Sequence, residues 1–222
     1  VVTLLTILIV LYMQRALDFS VFPTLLLVLT VFGLALNVSS TRLILSQGSA
    51  FRGQIVRAFS EFVVGTTGLE GLVIGLIIFI IIISVQFVVI TKGATRVAEV
   101  AARFTLDALP AKQMSIEAEY NSGALTEEEA NQKKMELERE ADFYGAMDGA
   151  SKFVSGNVKV GIRITLINMI GGIVVGMTIH NEDFTTALNT YISLAIGDGL
   201  VTQFPALFVS TATGLIVTRA IS

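Results

Sequence analysis

LVIGLIIFIIIISVQFVVI, residues 72–90, decides the fold. Only Gly75, Ser84 and Gln86 break its apolar run. A helix needs about 20 such residues to cross the hydrocarbon core of a bilayer. Lipid offers the backbone no hydrogen bonds, so the segment must be helical. The full apolar stretch reads as Leu69–Ile90. The same pattern recurs at Phe22–Leu45 and Val160–Ile179, and in a polar-flecked form at Leu200–Val217. Val1–Met13 reads as part of a fifth helix. It opens VVTLLTILIV, with no basic leader and no cleavage site, and so resembles a helix cut part-way through rather than a signal peptide.

The chain has 222 residues, 53% hydrophobic and 15% charged, which is too apolar for an ordinary soluble domain. Its net charge of -3 gives no reason to expect nucleic-acid binding. With no cysteine and one histidine, it offers no thiol chemistry and no zinc cluster. No GxxxxGK[ST] loop is present for a nucleotide. The reading is therefore a non-enzyme with no catalytic residues, no cofactor and no metal.

Charge concentrates between Thr91 and Arg163. Most Lys and Arg, with Arg15 and Arg219, fall on one side of the helices. Arg42, Arg52 and Arg57 fall on the other. The positive-inside rule makes the first side cytoplasmic. The expected architecture is an all-α polytopic membrane protein with a small helical cytoplasmic loop subdomain. Residues 1–90 and 160–222 hold the membrane helices, and residues 91–159 form the loop.

Within that loop, Thr95–Ala108 repeats Val97, Val100, Ala101, Phe104 and Ala108 at helical spacing. Pro110 disfavours helix at Leu109, which predicts a break there. A short helix over Lys112–Tyr120 stops at Asn121–Gly123. The next opens with the capping box Thr126-x-x-Glu129, pairs Glu129 with Lys133, and runs to about Tyr144.

Arg96, Glu99, Arg103 and Asp107 share one helix face, opposite the Val97/Val100/Phe104 face. They read either as a solvated ion-pair ladder or as a charge relay beside the membrane. Asp107 falls at the expected helix end, where the macrodipole disfavours a negative charge. It is a working acid or a cap for the turn at Pro110. Asp198, in IGDGL, is a costly acid at membrane depth or the N-cap of the last span. Gln203 stands with it as a pore candidate. Gly71-x-x-x-Gly75 and Gly172-x-x-x-Gly176 permit close helix packing. Asn37, Gln86 and Asn168 predict interhelical hydrogen bonds, and His180 a solvated turn.

The stretch VITKGATRVAEVAARFTLDALPAKQM resembles the signature of the FHIPEP family, the export-gate membrane proteins of type III secretion in flagella and injectisomes. LDFSVFPTLLL, LALNVSSTRLIL, EADFYGAMDGASKFV, LINMIGGIVVG and IGDGLVTQFPALFVSTATGLIVTR are similar to it in order and spacing, and EADFYGAMDGASKFV leans toward the flagellar branch. The resemblance implies several things. This would be part of an eight-helix region of the bacterial inner membrane. Nine subunits would form a ring with other export-apparatus subunits, coupling proton motive force to export of unfolded proteins. Asp107 would take part in coupling, with Asp148 a second candidate. Gly33, Ala111 and Asn157 depart from the family pattern, which usually has Arg, Gly and an acidic residue there. The alternatives are the injectisome homologue, an ion-coupled transporter and a structural scaffold. A transporter predicts inverted repeats, and the chain has none that can be read.

Overall fold

The computed structural model describes residues 1–65 and 68–218, all in helices and their connections. The helices are α1 (Val2–Tyr12), α2 (Phe22–Gln47), α3 (Gln54–Val64), α4 (Gly68–Val88), α5 (Thr95–Asn121), α6 (Glu127–Thr178) and α7 (Phe184–Thr218). A π-type segment, Val89–Ala94, joins α4 to α5 without a break. Four helical runs are long and apolar enough to cross a membrane: Phe22–Ala50, Gly68–Asn121, Glu127–Thr178 and Phe184–Thr218. These cover the four expected spans, the third ending at Thr178, one residue short of the expected Ile179. Arg219, used above to orient the chain, lies outside the described residues.

α7 is the hub. It packs against every other α-helix. Leu194–Leu200 is buried without interruption. A surface helix buries one stripe, so burial all round marks a central one.

The apolar and polar helices are not separate pieces. α6 runs unbroken for 52 residues, where the pattern predicted a stop near Tyr144 and a restart at Val160. Helical hydrogen bonding is indifferent to the change from polar to apolar surroundings. A buried stripe carries straight through that change: Met147, Ala150, Val154, Val158, Gly161, Thr165, Asn168, Gly172, Gly176.

Pro110 does not break α5 either. A proline removes the bond to the carbonyl four residues back, here Leu106. Leu106 and Pro110 are both exposed, so water can take that carbonyl, and Ala111, Lys112, Gln113 and Met114 are good helix formers. The buried face of α5 is Ala98 and Ala102, not Val97, Val100 and Phe104, which are exposed. Small residues win that face because α6 comes close.

Past the membrane, α5 and α6 form an antiparallel hairpin. Ile116, Ala130 and Leu137 are its small core. The Thr126 capping box is present: the Glu129 amide donates to Thr126 Oγ1 at 3.3 Å, and the Thr126 amide to the Glu129 carboxylate at 2.8 Å. With Glu129 so engaged, Lys133 pairs with Glu119 at 2.8 Å instead. On the opposite face, the segment read only as a loop contains α3, with Val56, Ser60 and Val64 buried at helical spacing.

Candidate functional site

Two groups of polar residues stand out, one beside the membrane and one inside it. In the first, α5 contributes Arg96 and Glu99, paired at 2.9 Å with both side chains exposed. α6 contributes Asp148 and Lys152, paired at 2.7 Å one turn apart. The two pairs meet electrostatically: the Lys152 ammonium feels Asp148 first and Glu99 more weakly. The second oxygen of Asp148 is buried without a hydrogen bond. Helix-to-helix approach across the hairpin thus joins three of the predicted residues, Arg96, Glu99 and Asp148.

Arg103 and Asp107 are not part of that group. Both are exposed further along α5, and among the described residues neither makes an ion pair or hydrogen bond. The ladder expected from spacing has one rung. Asp107 is not at a helix end, because α5 continues to Asn121. The cap reading and the macrodipole argument both fall. What remains is an unpaired carboxylate on the outer face of a helix continuous with a membrane span.

The second group lies where α2, α6 and α7 meet. Asp198 is 4% exposed and accepts a hydrogen bond from Ser40 Oγ. It is mid-helix, 14 residues into α7, so it caps nothing. Its glycine neighbours read as flexible ends. They are in fact contact points. A Cβ on Gly197 would collide with the Val56 carbonyl of α3, and one on Gly199 with the Phe79 ring of α4. Gly161 faces Gln203 and Asn37, and Gly199 also faces Thr165 Oγ1. Gln203 is 4% exposed within this seam.

Asn37, Gln86 and Asn168 are buried as expected. Yet the interhelical bonds predicted for them are missing: Asn37 Oδ1, Gln86 Oε1 and both amide atoms of Asn168 have no partner. Small residues at other seam positions admit bulk. A Cβ at Gly75 would lie 2.8 Å from the Val64 backbone, and Gly172 and Gly176 make room for the Tyr191 ring. Gly71 is buried in the same helix. All these contacts are within one chain.

Sequence reasoning missed Ser40, Glu182 and Tyr191. Ser40 was hidden beside Arg42 in NVSSTR, and nothing local marked it. His180, expected in solvent, is half-buried with Nε2 3.4 Å from the Leu45 carbonyl. Among the described residues no group of His, Cys, Asp and Glu could hold a metal ion.

Comparison with known proteins gives a consistent answer. Flagellar biosynthesis protein FlhA of Borreliella burgdorferi is 69% identical over 222 residues, all of this chain and 32% of that protein. FlhA of Bacillus subtilis is 57% identical over 210 residues, 95% of this chain and 30% of that protein. FlhA of Salmonella typhimurium is 50% identical over 220 residues, 98% of this chain and 31% of that protein. The chain spans about a third of the length of these curated relatives. No solved structure matches it. The FHIPEP family model matches residues 1–222, so the chain belongs to the FHIPEP family.

Proposed function

We propose that this chain is the membrane part of an export-gate subunit in the flagellar type III secretion apparatus of the bacterial inner membrane. In this reading it is not an enzyme. It couples proton motive force to the export of unfolded flagellar subunits. It works as a homo-oligomeric ring, nine subunits by family resemblance, beside other export-apparatus membrane proteins. Residues 91–159 are its cytoplasmic part. Similarity along the whole chain to relatives named flagellar biosynthesis protein carries the proposal.

Asp107 is the residue chosen for coupling. It is a titratable group without a partner among the described residues, on α5, which continues from the membrane span α4. A change in its charge state costs no broken ion pair, and any tilt of α4 moves it. Arg103, one turn away, sets its local field. Arg96, Glu99 and Asp148 anchor the hairpin nearer the membrane.

The test is Asp107→Asn in the full-length protein. Export of flagellar subunits should stop while membrane insertion and ring assembly persist. Normal export by that variant would remove Asp107 from the coupling role.

A further inference from the structure

The seam of α2, α6 and α7 holds a carboxyl that the export reading does not use. Asp198 is buried and, among the described residues, has a single side-chain hydrogen bond, from Ser40. Every helix around it is neutral at that point. α2 presents Ser40, α3 the Val56 carbonyl and Ser60 against Gly197, α4 the Phe79 ring against Gly199, and α6 Thr165. The nearest charged residues on these helices, Arg42, Arg57, Glu61, Glu70, Lys159 and Arg163, are all exposed. Among the described residues no cation compensates Asp198.

Unpartnered polar atoms line the seam on both sides of this carboxyl. Asn168 is fully buried with neither amide atom bonded, three residues past Thr165 on the same face of α6. Asn37, 7% exposed and three residues before Ser40, leaves Oδ1 free, and Thr41 Oγ1 is also unpartnered. Toward the extracytoplasmic end, Tyr191 Oη and Glu182 Oε2 are buried without partners around Gly176. Native proteins satisfy the great majority of buried polar atoms. A file of unsatisfied ones in a membrane core is costly, and costly intramembrane acids mark ion and proton pathways. An isolated carboxylate is also far harder to bury than a carboxylic acid. The acid has an O–H to donate, and amide oxygens near it are free to accept.

We propose that Asp198, with Ser40, is an intramembrane proton-binding site loaded from the extracytoplasmic side along the α2–α6–α7 seam. This rests on the proton-coupled reading above and adds to Asp107 a second proton-binding group, inside the membrane. Uptake adds one proton to a carboxylate oxygen and neutralises it, and release restores the charge. No other bond changes. The sidedness follows from depth. Ser40 lies about 10 Å from the Gln47 end of α2 and about 27 Å from its Phe22 end, at 1.5 Å per residue.

The experiment uses the full-length protein in right-side-out membrane vesicles, treated with a hydrophobic carbodiimide. A protonated carboxyl in apolar surroundings adds across this reagent to leave a stable acylurea, which peptide mass spectrometry locates. Asp198 should be modified. As the outer buffer is made alkaline, modification should fall about tenfold per pH unit beyond the midpoint, as for a single titrating group. Changing only the lumenal pH should not alter it. Asn168→Leu should slow labelling several-fold, and Gly145→Ala, at an exposed position on α6 with open space around an added Cβ, should leave it unchanged. No labelling of Asp198, labelling that ignores outer pH, or labelling that follows lumenal pH would each overturn the proposal. Normal export by Asp107→Asn alongside outer-pH-dependent labelling removes the coupling role of Asp107 alone and leaves the Asp198 site standing.

Discussion

Lys112 and Glu140, 28 positions apart, clamp α5 to α6, with the ammonium 3.2 Å from both carboxylate oxygens. The partners are unequal: the Lys112 side chain is 46% exposed and that of Glu140 only 10%. Removing the lysine strands a nearly buried charge, whereas removing the glutamate returns a half-exposed lysine to water. Lys112→Ala should therefore loosen the hairpin by about 2 kcal/mol. Glu140→Ala should cost about 1 kcal/mol or less. Hydrogen exchange at Ile116 and Leu137 measures the difference, and equal effects would contradict this asymmetry.

The hairpin tip should loosen in acid. Glu119 is held below the ordinary glutamate range, chiefly by its hydrogen bond from Lys133. Glu129 is held below it chiefly by the Thr126 amide. A depressed carboxyl contributes stability that is fully present above its unfolded value and is lost as pH falls through the lowered one. Proteolysis between Asn121 and Thr126 should rise on acidification below the glutamate range. Lys133→Ala should remove the part of that acid response belonging to Glu119. A cleavage rate flat across this range would count against both contacts.

Two glycine substitutions should behave in opposite ways. Gly197→Ala puts a Cβ into the Val56 backbone, which cannot move without shifting α3. Overpacking of this kind costs about 1–3 kcal/mol, often more against backbone. The variant should accumulate poorly in membranes. Gly145 is exposed on α6 with nothing within 4 Å of an added Cβ. Gly145→Ala should gain up to about 1 kcal/mol of helix stability. Membrane yield and thermal midpoint in detergent report both.

Orientation can be checked directly. The chain has no cysteine, so a single one at Asn121 is an unambiguous probe. It should react with a membrane-impermeant maleimide only when the cytoplasmic face is open. Reaction from outside intact cells would invert the assignment of the hairpin.

The membrane spans were legible because about 20 consecutive apolar residues admit few alternatives. Their continuity was not. Reading an edge from hydropathy assumes that a helix ends where its surroundings change. α6 passes from polar to apolar surroundings along one stripe of small and apolar residues instead. Pro110 misled for a related reason, since a proline's effect depends on whether water can reach the freed carbonyl. Asp198 was found by type but misjudged by place. Glycines on either side resemble a helix end in sequence, and only the packing of α3 and α4 reveals them as points of close approach. α3 itself carried a usable signal in Val56, Ser60 and Val64, four residues apart.

The run Gly68–Asn121 has a mechanical side. Its 27-residue α5 and the six-residue π segment extend about 50 Å beyond α4, at 1.5 Å per residue. A stiff rod of that length turns small angles into long strokes. Tilting α4 by about 5° swings Asn121 through about 4 Å. The π segment at the membrane surface, where the backbone is wound more loosely, is the natural fulcrum. The arm it carries holds Asp107 nearly midway along.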